Sequence, residues 1–120
     1  MNIHESAEDY LEMILMLSEE RECVRSVDIA AGLSVSKPSV SVAMKQLREN
    51  GYIRMDENNY ITLTASGARI AREVYQRHKA ITKFLMRIGV NETDAREDAC
   101  KIEHDISPAT FEAILRQLEN

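Results

Sequence analysis

Tryptophan is absent from the sequence, and aromatic residues make up only 5% of its 120 positions. Four glycines and two prolines are also few, so packed helices are favoured over a β-sandwich. The two cysteines, Cys23 and Cys100, are too few for a secreted disulfide framework. No apolar run approaches the roughly 20 residues that span a bilayer, and the first residues do not resemble a signal peptide. We therefore expect a cytoplasmic protein without a membrane segment.

The residues that are present predict a small, mostly α-helical protein. Hydrophobic residues account for 44% of the sequence, which is enough for a core of Leu, Ile, Val, Ala and Met. The chain is too short for two large enzyme domains around a cleft. One compact domain, or one domain with a docked extension, is the expected organisation.

Charge is distributed unevenly along the chain. The formal net charge of −5 disfavours a protein that coats nucleic acid indiscriminately. Residues 36–54 nevertheless hold four basic side chains against one acidic, and residues 69–87 hold six against one, whereas residues 1–20 hold six acidic and none basic. A basic patch on an acidic chain can contact phosphates, and concentrated acids need solvent, bases or metal ions. Ordinary solvated helix faces would give the same pattern, so charge alone leaves both interpretations open.

A helix-turn-helix is predicted in the first half of the chain. Ser26 can cap a short helix over residues 27–31, which Gly32 would end. Ser36 can cap a longer helix to Asn50, with Pro38 in its first turn, where a missing N–H has no cost. A short helix, a turn and a longer helix in about 25 residues form the helix-turn-helix pattern.

A β-hairpin is predicted directly after this motif. Residues 52–55 and 60–63 are β-prone and flank a polar tetrapeptide that contains two asparagines. A hairpin that follows a recognition helix is the wing of a winged helix, and winged helices bind DNA or, less often, other proteins. Because the segment is basic, we favour double-stranded DNA over a role as a protein adaptor.

The predicted DNA contacts lie on the second helix and on the wing. The N-terminal residues of a recognition helix reach base edges in the major groove, where hydroxyls and lysines can contact bases or phosphates and a valine can meet a thymine methyl. The expected contacts on the helix are Ser36, Lys37, Ser39, Ser41, Val42 and Lys45. Those on the wing are Arg54, Asn58 and Asn59.

Three further helices are predicted after the wing. The first begins after Thr64 and runs to about Arg87, and the second begins at Asn91 or Thr93 and runs to about Asp105. The last opens at Ser107 and Pro108. The wing junction near residue 64 divides the chain into a predicted DNA-binding domain over residues 1–64 and a helical domain over residues 65–120.

Metal-ligating side chains recur at helical spacing. Cys100, Glu103 and His104 stand at i, i+3 and i+4, so a thiol, a carboxylate and an imidazole share one face of a predicted helix. Apolar residues also recur at a helical period over residues 5–20, and Asp9 and Glu12 are three residues apart on this predicted first helix. With His78 on the long helix, such a set suits a divalent transition metal. Each residue taken singly is more often an ordinary core or surface residue, so the set alone leaves the choice open.

These motifs resemble the diphtheria-toxin-repressor family of metal-dependent transcriptional repressors, and within it the short manganese-transport-regulator branch. The resemblance covers nearly the whole chain. It rests on A-E-D-Y-L-E at 7–12, S-V-D-I-A at 26–30, L-T-x-x-G at 63–67, R-H at 77–78 and A-C-K-I-E-H at 99–104. It implies a winged helix-turn-helix followed by a helical metal-binding and dimerisation domain. The metal ligands that it implies are Asp9, Glu12, His78, Cys100, Glu103 and His104.

The resemblance implies Mn²⁺ or Fe²⁺ as the metal, with Co²⁺, Ni²⁺ or Zn²⁺ as possible substitutes in vitro. Asp9 matches the manganese branch, whereas Cys100 matches the iron-responsive branch. The ancillary site of the iron branch is not expected, because Thr82 and Arg96 stand where it requires a carboxylate and a histidine. The sequence ends at Asn120, so neither a Src-homology-like third domain nor a tail helix is expected.

The mechanism that the resemblance implies is allosteric repression. A divalent ion would tie the first helix to the long helix and to the Cys100 helix, and would thereby fix the separation of two recognition helices in a homodimer on operator DNA. The expected dimer contacts are Phe84, Leu85, Phe111, Ile114 and Leu118. A winged-helix regulator that does not depend on metal is the main alternative. A metallohydrolase with Glu103 as its base is disfavoured, because it needs an open metal position in a substrate cleft.

Overall fold

The computed structural model describes residues 5–119. Within this range the chain forms six helices and one two-stranded antiparallel sheet, which confirms the predicted, mostly helical winged-helix architecture. The elements are α1 (Glu5–Glu20), α2 (Ser26–Leu33), α3 (Lys37–Glu49), β1 (Ile53–Met55), β2 (Ile61–Leu63), α4 (Ala65–Arg87), α5 (Glu92–Ile102) and α6 (Pro108–Glu119).

The chain divides into two compact units after Arg72, a position within α4. We call them the N-terminal unit, through Arg72, and the C-terminal unit, from Glu73. The boundary between a DNA-binding and a helical domain that was expected at residue 64 stays a prediction. No helix within residues 5–119 is long and apolar enough to cross a membrane.

The core of the N-terminal unit is built from one apolar face of each element. In α3 the buried residues Val40, Met44 and Leu47 stand at i, i+4 and i+7, which is the spacing of a single helix face. They pack in one cluster with buried residues of the other elements, namely Leu11, Ile14, Ile29, Ile53 and Ile61. The opposite face of α3 is thereby left to solvent.

The helix-turn-helix forms, with revisions at both ends of its first helix. The Ser36 hydroxyl caps α3 by accepting the Ser39 N–H, as predicted. The expected cap of α2 by Ser26 was wrong: the cap residue is Arg25, whose N–H donates to the Asp28 carboxylate at 2.9 Å. Gly32 was also wrong as the stop, because α2 continues to Leu33 and the chain turns at Ser34, which has a left-handed φ of 55°.

The wing is a tight hairpin with a defined register. Ile53 pairs with Leu63 and Met55 pairs with Ile61. In the turn, the Asp56 carboxylate accepts the N–H groups of Asn58 and Tyr60 at 2.8 and 3.0 Å. Asn59 adopts a φ of 63°, a left-handed conformation that asparagine tolerates better than most residues.

The start of α4 is fastened to the base of the wing. The Thr64 hydroxyl donates to the Gly51 carbonyl at 2.6 Å and accepts the Gly67 N–H at 3.2 Å. A β-carbon on Gly67 would lie 2.0 Å from the Tyr52 carbonyl oxygen, so only glycine fits at this position. The L-T-x-x-G motif therefore packs the backbone of α4 directly against the chain that enters β1.

The C-terminal unit contains the rest of α4 together with α5 and α6. Asn91 caps α5 by accepting the Asp94 N–H at 2.9 Å, which decides between Asn91 and Thr93. The helix ends at Ile102, earlier than the predicted Asp105. Glu103 nevertheless keeps helical dihedral angles, and its N–H donates to the Ala99 carbonyl at 3.0 Å. The face predicted for Cys100 and Glu103 is thus preserved at the helix end.

Candidate metal centre and nucleic-acid interface

Three metal-ligating side chains meet within the C-terminal unit. His78 lies on α4, Cys100 lies in the last turn of α5, and Glu103 follows at the end of that helix. One ligand atom of each residue lies within 4.8 Å of the others. An imidazole, a thiol and a carboxylate are thereby directed to one point from two helices.

Glu103 is the buried centre of this cluster. Its side chain is 1% exposed, and its two carboxylate oxygens lie 3.8 Å from Nδ1 of His78 and 3.4 Å from Nε2 of His104. His104 is also buried, with a side-chain exposure of 5%. Removing a carboxylate from water costs several kcal/mol unless a nearby charge offsets it. A divalent metal ion beside Glu103 would supply such a charge.

The pKa of His78 is lowered from its ordinary value of 6.5. Burial is the largest cause, because it disfavours the charged imidazolium, and the positive charges of Arg96 and His104 add to it. The neutral imidazole is the form that binds a metal ion. The surroundings of His78 therefore hold it in the ligand form at neutral pH.

Arg77 supports the end of α5 that carries Glu103. Its Nη2 donates to the Glu103 carbonyl oxygen at 2.6 Å, and its guanidinium lies 5.3 Å from the centroid of the Phe111 ring. A cation at the carbonyl end of a helix satisfies an acceptor that has no partner in the helix. The R-H pair at 77–78 is part of the family resemblance, but the sequence did not predict that Arg77 binds the Glu103 carbonyl.

The donor set fits a divalent transition metal. Ligand atoms about 2.0–2.3 Å from one ion lie about 3 to 4.5 Å from each other, so the cluster needs only small side-chain movements to hold it. Carboxylate and imidazole suit Mn²⁺ and Fe²⁺, and the thiol shifts the preference toward softer ions. The mixed donors do not select one ion by chemistry alone.

The two remaining predicted ligands lie in the N-terminal unit. Asp9 and Glu12 stand three residues apart on α1, which places them on one side of that helix. Glu12 is buried and Asp9 is partly buried. The structure thus brings His78, Cys100 and Glu103 together, with His104 beside Glu103, while the role of Asp9 and Glu12 as ligands stays a prediction.

All the predicted DNA contacts are exposed. On α3 they are Ser36, Lys37, Ser39, Ser41, Val42 and Lys45, and on the wing they are Arg54, Asn58 and Asn59. Val42 is 58% exposed, which is unusual for a valine in the middle of a helix. The Ser36 and Ser39 hydroxyls are hydrogen-bonded to each other at 2.8 Å. Their contribution to DNA binding stays a prediction, as does that of the other seven residues.

The predicted dimer contacts lie on α4 and α6 and are partly exposed: Phe84, Leu85, Phe111, Ile114 and Leu118. No described residue of α6 is fully buried, although its apolar residues follow a helical period. Ile88, just after α4, is 62% exposed. The C-terminal unit therefore leaves apolar surface uncovered.

The fold and the cluster of His78, Cys100 and Glu103 define a winged-helix protein whose second, helical unit is suited to a transition metal. Two family models match this chain. Residues 2–60 match the iron-dependent repressor N-terminal DNA-binding domain, and residues 64–120 match the iron-dependent repressor metal-binding and dimerisation domain. The chain belongs to the iron-dependent repressor family, whose members are transcriptional regulators.

Relatives agree with this assignment. The transcriptional regulator MntR of Salmonella typhimurium is 39% identical over 111 residues, which cover 92% of this chain and 71% of the relative. The structure of the manganese regulator SloR aligns with a TM-score of 0.83 at 32% identity, covering 99% of this chain and 55% of SloR. A manganese-dependent transcriptional repressor in complex with manganese aligns with a TM-score of 0.85 at 29% identity, covering 94% and 52%. This chain thus spans about half the length of these solved proteins.

Proposed function

We propose that the protein is a divalent-metal-dependent transcriptional repressor that binds operator DNA as a homodimer and controls metal homeostasis. The observation that carries the proposal is the cluster of His78, Cys100 and the buried Glu103 in a chain that also presents an exposed, basic helix α3. The repressor that aligns with this chain in complex with manganese supports it.

The metal is Mn²⁺ or Fe²⁺ in this proposal. Its ligands come from His78, Cys100, Glu103 and His104, together with Asp9 and Glu12, for which the family resemblance is the support. When bound, the ion supplies the positive charge that offsets these carboxylates and the thiolate. Without it, these anionic side chains repel one another.

Metal binding and DNA binding are coupled in this proposal. Coupling free energies of allosteric proteins are typically about 1–3 kcal/mol, and they are reciprocal. The metal therefore tightens the binding of operator DNA, and operator DNA tightens the binding of the metal by the same factor. Enzymatic turnover has no part in this scheme.

The dimer uses the uncovered apolar surface of the C-terminal unit, with Phe84, Leu85, Phe111, Ile114 and Leu118 as its contacts. A two-fold dimer presents two copies of α3 and reads a pseudo-palindrome whose half-sites lie about one helical turn apart or more. A repressor of this kind acts in the cytoplasm, where its operator is accessible.

The decisive experiment measures DNA binding with and without metal. Duplexes selected by the Mn²⁺-loaded protein from a random-sequence library supply the operator, and fluorescence anisotropy then compares Mn²⁺, Fe²⁺ under anaerobic conditions, and a chelator. We expect binding to weaken by about 5- to 150-fold in the chelator, in line with ordinary coupling energies. Equal binding in all three conditions would instead favour a winged-helix regulator that does not depend on metal.

A further inference from the structure

Two adjoining hollows cross the surface of the N-terminal unit. The smaller is lined in part by Ser41 and Lys45, and the larger, of about 670 Å³, in part by Arg54 and Ser66. They share Arg48 and Met55, so together they form one continuous strip. We call it the arginine strip. It runs from the middle of α3, past the end of that helix, to β1 and the first turn of α4.

The arginine strip is free of acidic side chains. Its described lining residues include three cations, Lys45, Arg48 and Arg54, as well as several hydroxyls, and none is an aspartate or a glutamate. This is notable in a chain whose net charge is −5. The local field over the strip is therefore positive and suits an anionic partner.

The two arginines of the strip have no side-chain partner among the residues that the structure describes. Within residues 5–119, neither Arg48 nor Arg54 makes a side-chain hydrogen bond or an ion pair, and both are exposed. Other arginines of the same unit do: Arg21 pairs with Asp28 at 2.8 Å, and Arg25 donates to the Tyr60 hydroxyl at 3.1 Å. Arg48 and Arg54 thus keep all their donors available for a partner.

Regular geometry places these cations in a row. Arg48 follows Lys45 by three residues, so both lie on the same side of α3. Strand alternation buries Ile53 and turns Arg54 outward. Both arginines of the strip therefore stand on regular elements, one on a helix and one on a strand.

We infer that the arginine strip is a binding surface for the backbone of a DNA duplex, with Arg48 and Arg54 each contacting a phosphate. The inference rests on the proposed function and extends it, because Arg48 and Ser66 were not among the expected contacts. A guanidinium donates two parallel hydrogen bonds that match phosphate oxygens. The strip begins at Ser41 and Lys45 of the predicted recognition surface, and its hollows are open, as an extended backbone requires.

The test uses the full chain saturated with Mn²⁺ and a labelled mixed-sequence duplex of about two helical turns, since phosphate contacts do not depend on sequence. Fluorescence anisotropy between about 0.05 and 0.2 M salt gives the slope of log affinity against log salt for the wild type, Arg48→Ala, Arg54→Ala and both together. Arg48→Lys keeps the charge of the side chain. Arg72→Ala removes an exposed arginine of the same unit that does not line the strip.

We expect each alanine variant to flatten the slope by about 0.9 and to weaken binding about eightfold at about 0.1 M salt, with the double variant close to the product of the two losses. Arg48→Lys should keep the slope, and Arg72→Ala should change little. The far-ultraviolet circular dichroism of all variants should match the wild type, because neither arginine contributes to the core.

Three results would overturn the inference. In the first, the wild type binds the duplex but both alanine variants keep its salt slope. The strip would then not contact DNA, and the proposed function would be unaffected. An equal effect of Arg72→Ala would mean that overall charge, and not this strip, determines binding. A wild type that binds no duplex would overturn both proposals together.

Discussion

The two units of this protein handle charge in opposite ways. In the C-terminal unit, Glu103 and His104 are nearly inaccessible and lie against each other. In the N-terminal unit, Lys45, Arg48 and Arg54 stand exposed at the surface. A buried carboxylate demands a compensating ion, whereas an exposed cation attracts a large polyanion at little cost. The contrast teaches that the charges proposed to bind the metal and the charges proposed to bind DNA are separate sets. Each set can therefore be changed by mutation without changing the other.

The largest expected effect is that of Glu103→Ala. Removal of the central carboxylate should weaken Mn²⁺ binding by more than 100-fold and abolish the metal dependence of DNA binding, because even residues that only orient a ligand contribute about 10–100-fold. Isothermal titration calorimetry measures the metal affinity, and circular dichroism checks that the helical fold is kept. Glu112→Ala, which removes an exposed glutamate of α6, is the matched control.

Glu103→Ala also tests whether the charges of the two units act independently. Glu103→Ala should leave the salt slope for a mixed-sequence duplex unchanged, because that slope depends on the exposed cations. A metal response equal to that of the wild type would remove Glu103 from the site. A changed salt slope would mean that the two sets of charges are not independent.

Arg77→Ala should have the next largest effect. The guanidinium holds the Glu103 carbonyl, so its loss should release the turn that carries Glu103 and His104 and lower Mn²⁺ affinity about 10–100-fold. Competition with a chromophoric chelator measures that affinity directly. Arg77→Lys keeps the charge but loses the planar fork, so it should recover only part of the affinity. Full affinity in Arg77→Ala would reduce the residue to a packing role against Phe111.

Cys100→Glu should have the smallest effect, a change of metal ranking without loss of binding. Replacement of a soft thiolate by a hard carboxylate should shift the preference from Fe²⁺ or Co²⁺ toward Mn²⁺ by about tenfold, one step of 1.4 kcal/mol. Activation of DNA binding by each ion, titrated under anaerobic conditions, measures the ranking. Cys23→Ser, at an exposed cysteine, is the control. The same order of metals in Cys100→Glu and the wild type would exclude a tuning role.

Much of the fold could be predicted because its signals are local. A cap at Ser36, a proline in the first turn of the helix and a polar turn between two β-prone runs act over a few residues, and the elements that they predict formed as expected. Gly32 was misinterpreted as a stop because its role is tertiary: a β-carbon there would lie 2.7 Å from Sδ of Met13 on α1. Sequence spacing does not reveal such an approach between helices.

The grouping of the candidate metal ligands could also be predicted in part. Helical spacing placed Cys100 and Glu103 on one face, and this survived even though α5 ends before Glu103. Arg77 was missed because it acts on a backbone carbonyl, which has no sequence signature. Arg48 was counted among the basic residues but not among the contacts, because only the packing of β1 and α4 beside the end of α3 forms the hollow that it lines.

Gly67, which lets α4 contact the Tyr52 carbonyl, has a consequence for the proposed binding of DNA. With no side chain at Gly67, and with Thr64 bonded to Gly51, the first turn of α4 packs directly on the segment that joins α3 to the wing. In the proposed complex with DNA, the backbone that joins α3 to the wing would therefore be ordered before docking, and less ordering entropy would be lost. A duplex whose groove width departs from the spacing of α3 and the wing would have to deform, so the proposal includes selection by DNA shape.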